Sequence, residues 1–230
     1  MPETDPIPAP EAPQEQPSPM LDVHSPHEPV HGLRDFLLHI FTITIGLLIA
    51  LSLEAGVESL HHRHIVAEAR ENIRHEIELN HKQLVDNTKA IHDDSGRIEA
   101  NLETIRRLRD HPKDFHGSLQ FTMSWSSFND SAWRSSRDIG ALAYMPYAEV
   151  QDYADLYGQQ EIVNREAVGL FTRQSLAVTP MVMEKDTEKI APAETQTMLR
   201  ETAGISLSLQ VLSQMMQGLD NSYTEALKKK

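Results

Sequence analysis

The chain has 230 residues, a formal net charge of −13 and no cysteine. Nucleic-acid binding needs a concentrated basic surface, so this acidic balance argues against nucleic acid as a partner. The lack of cysteine excludes disulfides, thiol nucleophiles and zinc sites with cysteine ligands. A hydrophobic content of 40% with a mean hydropathy of −0.42 also argues against a membrane protein with many spans.

Residues 1–32 have the composition of a disordered tail. They contain nine of the thirteen prolines and six acidic residues, with no lysine or arginine. Such a segment has little apolar surface to offset the chain entropy lost on folding, and proline keeps it extended. Its acidic character also differs from a secretory signal peptide, which begins with a basic region. We therefore predict that residues 1–32 are a disordered acidic tail.

Residues 36–53 form an apolar run without a formal charge, FLLHIFTITIGLLIALSL. At about 1.5 Å per helical residue, these eighteen residues extend roughly 27 Å, close to the ~30 Å hydrocarbon core of a bilayer. We predict one transmembrane helix over 33–56, with the lipid bilayer as its partner. The alternative is a buried helix of a soluble protein.

The orientation of this helix in a membrane stays open. One arginine precedes the apolar run closely and three follow it, which leans towards a cytoplasmic C-terminal part under the positive-inside rule. These residues are Arg34 before the run, and Arg63, Arg70 and Arg74 after it. A difference of three arginines to one does not decide the side of the membrane on which the C-terminal part lies.

A long helix or stalk is predicted over 57–111, because no glycine or proline separates Val57 from Ser95. An aliphatic residue recurs every seven positions, at Ile77, Leu84, Ile91, Ile98 and Ile105. The positions three residues further on are mostly polar, namely Asn80, Asn87, Asp94, Asn101 and Leu108. This seam suits one face of an intramolecular helix pair, with the asparagines at its solvated margin. It also suits a parallel coiled coil between copies, in which asparagine fixes the register.

The boundaries of the long helix follow from glycine and proline. The sequence Asp93-Asp94-Ser95-Gly96 is predicted to interrupt it, because glycine in a helix interior costs up to ~1 kcal/mol. Residues His111-Pro112 end it, since the residue before proline avoids helical geometry. Residues 112–127 have no clear period and are predicted to be a connector.

Residues 128–230 are predicted to form a small antiparallel helical bundle. Asp130 is the expected N-cap of its first helix, which carries Trp133 on the inner face and stops at Gly140. No window alternates with period two for long enough to indicate a strand. The predicted fold class is therefore all-α: a single transmembrane helix that continues into a long helix, followed by the bundle.

Prolines mark the remaining boundaries of the bundle. Pro146 suits the first turn of the second bundle helix, which is expected to extend to a break at Thr179-Pro180. A last helix is predicted from about Pro192 to Leu227, with aliphatic residues at helical spacing.

Three segments resemble a family of uncharacterised single-pass bacterial membrane proteins. They are ITIGLLIALSLEAGVE (43–58), RENIRHEIELN (70–80) and SAWRSSRDIGALAYMPYAEVQDYADLYGQQ (131–160). The resemblance covers about half of the chain and implies an N-terminal transmembrane helix with a helical soluble region, in a bacterial cytoplasmic membrane. The family has no assigned activity, so it implies no site residues. This sequence departs from the family in its acidic tail and its many histidines.

The histidines are the one group of residues that suggests a chemical site. All twelve precede residue 117, and several lie close together just after the apolar run. On a helix, His61 and His64 share a face with Glu68 one turn further on, which is ligand spacing for a divalent metal. Histidines on a solvated helix face close to a membrane are the commoner meaning of this pattern, so these residues are weak candidates and we predict no metal site. No phosphate-binding loop and no nucleophile in a strand-turn-helix context is present, so we predict neither a cofactor nor an enzyme.

The sequence leaves three function hypotheses. The first is a membrane-anchored helical interaction or scaffold protein, whose partner is another protein or a second copy of the chain. The second is a membrane-bound sensor that responds to pH or metal through histidines next to the membrane. The third is an enzyme, which would need a pocket with convergent polar groups that the sequence does not indicate.

Overall fold

The computed structural model describes residues 32–228, and the disorder predicted for 1–32 lies almost entirely outside this range. Four α-helices follow one another: α1 (Leu33–Asp110), α2 (Ser131–Asp138), α3 (Tyr147–Met183) and α4 (Pro192–Lys228). Short 3₁₀ turns lie at Pro112–Asp114, Ala141–Tyr144 and Thr187–Lys189. The described part of the chain contains no strand, and the all-α prediction is confirmed. The chain divides into two units, Met1–Leu53 and Glu54–Lys230.

The described part of the first unit is the apolar start of α1. An eighteen-residue window within this helix has a mean hydropathy of 2.4, and none of its residues is buried by the rest of the protein. Thr42 and Thr44 donate their hydroxyls to backbone carbonyls one turn earlier, at 2.9 and 2.8 Å. These bonds satisfy the two hydroxyls within the helix itself. This segment is long and apolar enough to cross a membrane.

The second unit has its own core, formed where α1 packs against an antiparallel pair of α3 and α4. The heptad seam of α1 is buried there, with Ile77 and Ile98 each 1% exposed. Leu209, Leu212 and Met216 of α4 belong to the same cluster. The seam is thus one face of an intramolecular packing. The predicted break at Asp93–Gly96 is wrong, because α1 runs through it without interruption.

The segment 119–129, here called the strap, runs antiparallel to α1 in an extended form. Asn80 pairs with Asn129, Asn87 with Ser126 and Asn101 with Gln120, in each case through the backbone of the strap residue. Seven residues of helix rise about 10.5 Å, and three extended residues span about 10 Å. One heptad of α1 therefore matches three residues of strap. The asparagines are buried and do not lie at a solvated margin.

Residues 119–126 alternate between apolar and polar side chains. Leu119, Phe121, Met123 and Trp125 are partly buried, whereas the residues between them are exposed. This is a period-two pattern, so the prediction of a connector without periodicity missed a visible signal. The alternation accompanies no strand in the described chain, because the backbone partners of the strap are helix side chains instead of a neighbouring strand.

The N-terminus of α2 is capped by a residue far away in the sequence. Asp130 occupies the N-cap position, but its side chain makes no capping bond and pairs with Arg134 at 2.9 Å. Glu76 of α1 instead accepts the backbone N–H groups of Ala132 at 2.8 Å and Trp133 at 3.4 Å. The prediction of Asp130 as the capping side chain is therefore wrong. A carboxylate at this place also interacts favourably with the helix dipole.

The other boundaries lie close to the predicted ones. Gly140 adopts a left-handed conformation with φ of 79° and ends the first bundle helix as expected. Pro146 is the N-cap of α3 and lies just before its first turn. Pro180 lies inside α3, which continues for three further residues before it ends at Met183. The last helix begins at Pro192 as predicted.

Candidate functional site

The three metal-ligand candidates lie on the exposed surface of α1. His61, His64 and Glu68 are all exposed, and the described residues contain no group of three or more His, Cys, Asp or Glu side chains that could hold a metal ion. Their neighbour His62 makes the closer contacts. Its ring stacks on Tyr144 with a centroid distance of 3.7 Å, and its Nε2 lies 3.9 Å from Glu58.

An open pocket of about 760 Å³ surrounds His62. Arg63 and Arg70 contribute its basic groups, and Tyr144 and Pro146 line it from the turn before α3. Arg70 donates two hydrogen bonds of 2.7 Å to the Glu149 carboxylate, which raise the pKa of the arginine further. One of the two arginines is therefore neutralised by a fixed carboxylate, and the pocket has no strong net charge.

A buried carboxylate lies at the junction of α1, α2 and α3. Glu76 is 5% exposed, and besides the two N–H groups of α2 it accepts the hydroxyl of Tyr157 at 2.7 Å. Burial, followed by the bond to Glu76, raises the pKa of Tyr157 well above its usual value. Trp133 covers this tyrosine, with ring planes 9° apart and centroids at 5.5 Å. All the donors around Glu76 belong to the fold itself, so the cluster is built to hold α2 in place.

Next to Glu76, a chain of amides joins α1, the strap, α3 and α4. Asn80 Nδ2 donates to Gln160 Oε1 at 3.0 Å, and Tyr223 donates its hydroxyl to the same oxygen at 2.6 Å. Gln160 Nε2 donates to the Asn129 carbonyl at 2.8 Å. Burial raises the pKa of Tyr223, which keeps its hydroxyl protonated as a donor. Buried polar groups with complete bonding fix one arrangement of the surrounding helices.

Asp94 is the exception among the four polar residues that face the strap. It is 2% exposed, accepts the backbone N–H of Ser124 and pairs with Arg97, which also donates to the Thr122 carbonyl. Burial raises the pKa of Asp94, and this effect exceeds the opposing effect of Arg97. A carboxylate also cannot donate to the strap as the amides of Asn80, Asn87 and Asn101 do.

Replacing Asp94 by asparagine is therefore expected to stabilise the protein at neutral pH by about 1 kcal/mol, the typical gain from one added hydrogen bond. Because the folded-state pKa is raised, protonated Asp94 stabilises the fold below its unfolded pKa, and this contribution is lost as the pH rises through the folded pKa. The advantage of Asp94→Asn should thus shrink as the pH falls towards about 4.

Urea unfolding of the full chain in detergent, followed by tryptophan fluorescence at several pH values, measures this difference. Asp86→Asn, an exposed change on the same helix, should have no comparable effect. A variant Asp94→Asn that is less stable than the parent at neutral pH would contradict the assignment, because it would mean that the ion pair outweighs burial.

A second groove of about 1100 Å³ lies open between α1 and α4. The two helices meet at either end of it. At one end His81 Nε2 and Asp220 Oδ1 lie 2.8 Å apart, and at the other Ile105 packs with Met198 and Leu199. Between these contacts, the floor is formed by the side chains Leu84, Ile91, Leu209 and Met216. This groove is large enough for a ligand and is the best candidate for a binding site in the second unit.

The residues that line this groove were not predicted from the sequence. Their signal is a heptad repeat of amides on α4, where Gln210 and Gln217 are seven residues apart, as are Gln214 and Asn221. A polar repeat of the same period is visible in the sequence of α1, but its role in binding the strap depends on the extended segment that lies opposite. The groove offers hydrogen-bond donors and acceptors beside a partly apolar floor, so a ligand could make both polar and apolar contacts there.

No protein-family model matches the chain, and neither does any curated protein or any solved structure.

Proposed function

We propose that this chain is a single-pass membrane protein of the bacterial cytoplasmic membrane that presents a helical bundle to a protein partner. The observation that carries the proposal is the exposed, mostly apolar run of residues 36–53 without a formal charge, followed in the chain by a second unit with its own core. The bacterial location rests on the resemblance of three segments to a family of bacterial membrane proteins.

The apolar segment supports the anchor. Side chains such as Phe41, Ile43 and Leu53 are 62–68% exposed, and the eighteen-residue apolar window of α1 has no buried residue. Exposing that much apolar surface to water is strongly unfavourable, since each fully exposed aliphatic side chain forgoes about 1.5–3 kcal/mol of burial. A bilayer removes this cost.

The surface of the bundle supports a role in interaction. Large apolar side chains are exposed on α3 and α4, among them Ile162 at 51%, Leu207 at 63% and Val211 at 42%. A protein partner that covers such side chains would remove their apolar surface from water, which is favourable. The buried polar groups of the second unit, in contrast, are bonded mainly to the strap and to the N-terminus of α2. This distribution favours binding over catalysis.

Membrane anchoring has a direct test. We expect the full chain to stay in the membrane pellet after alkaline carbonate extraction, because residues 36–53 would lie in the hydrocarbon core. A variant that lacks residues 36–54 should appear in the supernatant. Extraction of the full chain by carbonate alone would contradict the anchor.

Protein binding is tested by site-specific photocrosslinking in native membranes. A photoreactive amino acid is placed at Ile162 on α3, at Val211 on α4 and at Val85 in the α1–α4 groove, all in the full chain. The expected result is a light-dependent adduct with a distinct protein at one or more of these positions. If all three positions yield only adducts within the chain or with lipid, the proposed function fails.

A further inference from the structure

The groove between α1 and α4 lies on the opposite flank of α1 from the strap. At about 100° per residue, the asparagines that hold the strap lie on one side of the buried Leu84–Ile91 seam. Val85, Lys89 and His92, which line the groove, lie on the other side. The buried seam of α1 thus separates one groove filled by an extended segment from one that is open.

The strap shows how this protein binds an extended chain. Asn87 donates to the Ser126 carbonyl at 2.8 Å and accepts the N–H of the same residue at 3.2 Å. Asn101 binds both backbone groups of Gln120 in the same way, at 2.9 Å each. A carboxamide has one acceptor and two donors, so it can bind both groups of one residue in an extended segment. This recognition uses the backbone and not the side chains of the bound residue.

The α4 wall of the open groove presents amides with the same repeat. Gln210 and Gln217 form one pair seven residues apart, and Gln214 and Asn221 form another. All four are exposed, and none of their side chains bonds to another residue in the described range 32–228. Each pair is about 10.5 Å apart along the helix, which matches three residues of extended chain.

Lys89 gives the groove a cation that an acidic ligand can pair with. The lining of the groove contains Lys89, His92 and Asp220 as titratable side chains. Asp220 is already paired with His81 at 2.8 Å, whereas Lys89 makes no ion pair with any residue of the described chain. The two charges lie apart, because Asp220 is bonded to His81, which is eight residues before Lys89 and therefore about 12 Å away along α1. A carboxylate on the ligand would complement the lysine.

We propose that the α1–α4 groove binds an extended acidic segment of the partner protein, with Gln210, Gln214, Gln217 and Asn221 bonding its backbone and Lys89 pairing with a carboxylate. This inference rests on the proposed function and names the kind of partner. From Leu84 to Ser95 the α1 wall rises about 16 Å, which accommodates roughly five extended residues. Apolar side chains of the segment alternate towards the floor at Leu84, Ile91, Leu209 and Met216, as those of the strap do towards the core.

The test uses an array of random octapeptides, acetylated and amidated at their ends, probed with the full chain in detergent micelles. We expect the bound peptides to be enriched in Asp or Glu and to alternate apolar and polar residues. The affinity of the best peptides should fall at least tenfold in the double variant Gln210→Ala/Gln217→Ala and in Lys89→Glu. N-methylation of alternate peptide nitrogens on one edge should abolish binding, because the amides recognise backbone N–H groups.

Matched controls lie on the same two helices. Gln196→Ala on α4 and Lys82→Glu on α1 change exposed residues outside the groove and should leave the affinity unchanged. The proposal is overturned if no peptide binds above background, or if the bound peptides show no acidic preference. It is also overturned if the groove variants and the controls bind equally well, or if the groove variants change only the self-association of the chain.

Photocrosslinking separates this inference from the proposed function. An adduct with a partner protein from Val85 in the groove agrees with both. An adduct from Ile162 or Val211 but none from Val85 refutes the groove as the binding site and leaves the proposed function intact. A lack of any protein adduct refutes the function itself.

Discussion

Replacing Asn80 by alanine is expected to lower the free energy of unfolding of the second unit by roughly 2–4 kcal/mol. The change leaves the backbone N–H of Asn129 without its acceptor at 2.9 Å. It also removes one of the two donors to the Asn129 carbonyl and one of the two donors to Gln160 Oε1. Domains of this size have only about 5–15 kcal/mol of stability, so the loss is a large share of the total.

Urea unfolding of the full chain in detergent measures this loss, with both tryptophans of the sequence as reporters of the strap and of α2. Asn72→Ala is the matched control, because Asn72 is exposed on the same helix. Its midpoint should stay within experimental error of the parent. Equal stability of the Asn80 and Asn72 variants would mean that the strap does not depend on the asparagine repeat.

The second large effect is expected at Trp133. Truncation to alanine removes the ring that stacks on Tyr157 at 5.5 Å and lies 6.2 Å from Tyr153. It also opens the Glu76 carboxylate and the N-terminus of α2 to water. Truncating a buried tryptophan typically lowers the free energy of unfolding by about 3–5 kcal/mol. Because Trp133 is only partly buried, we expect a loss of about 2–4 kcal/mol.

Thermal melts of the full chain in detergent decide between a core role and a contact role for this side chain. The control is Tyr147→Ala, which truncates an aromatic side chain that is 81% exposed. A large decrease of the melting temperature for Trp133→Ala with none for Tyr147→Ala is the expected result. An unchanged midpoint for Trp133→Ala would assign this residue to a surface contact instead.

The helices could be predicted from the sequence because their signals are local. The apolar run, the proline after His111 and the glycine at position 140 each act within a few residues, and the structure has helix boundaries close to the predicted ones. The presence of Gly96 led to the incorrect prediction of a helix break. Its cost of about 1 kcal/mol is smaller than the gain from the continuous buried seam on either side, from Ile91 to Ile98.

The strap and the cap of α2 could not be predicted because they join residues far apart in the sequence. Glu76 and Ala132 are 56 positions apart, as one hydrogen bond shows. The N-cap rule considers only local side chains, so it selected Asp130. The asparagine repeat gave a signal of period seven, and the alternation of 119–126 gave a signal of period two. Each was ambiguous by itself, and only their packing against each other identifies an extended segment bound to a helix.

The candidate groove was beyond prediction for the same reason. Its two walls come from α1 and α4, and the amides of α4 alone are indistinguishable from a solvated helix face. The chemistry of the proposed ligand depends on Lys89, and only the structure shows that this lysine lines the groove and makes no ion pair with the described residues.

The binding of the strap by the asparagine repeat is central both to the fold and to the proposed groove, and hydrogen exchange at single amides tests it most directly. We expect the N–H groups of five strap residues to be protected, because each bonds to a helix side chain: Gln120, Ser124, Ser126, Phe128 and Asn129. Phe121, Met123 and Trp125, whose N–H groups bond to no residue in the described range 32–228, should exchange much faster. This alternation, measured by NMR on the full chain in micelles, is the expected result. Uniformly fast exchange across 119–129, as for a free linker, would contradict the account.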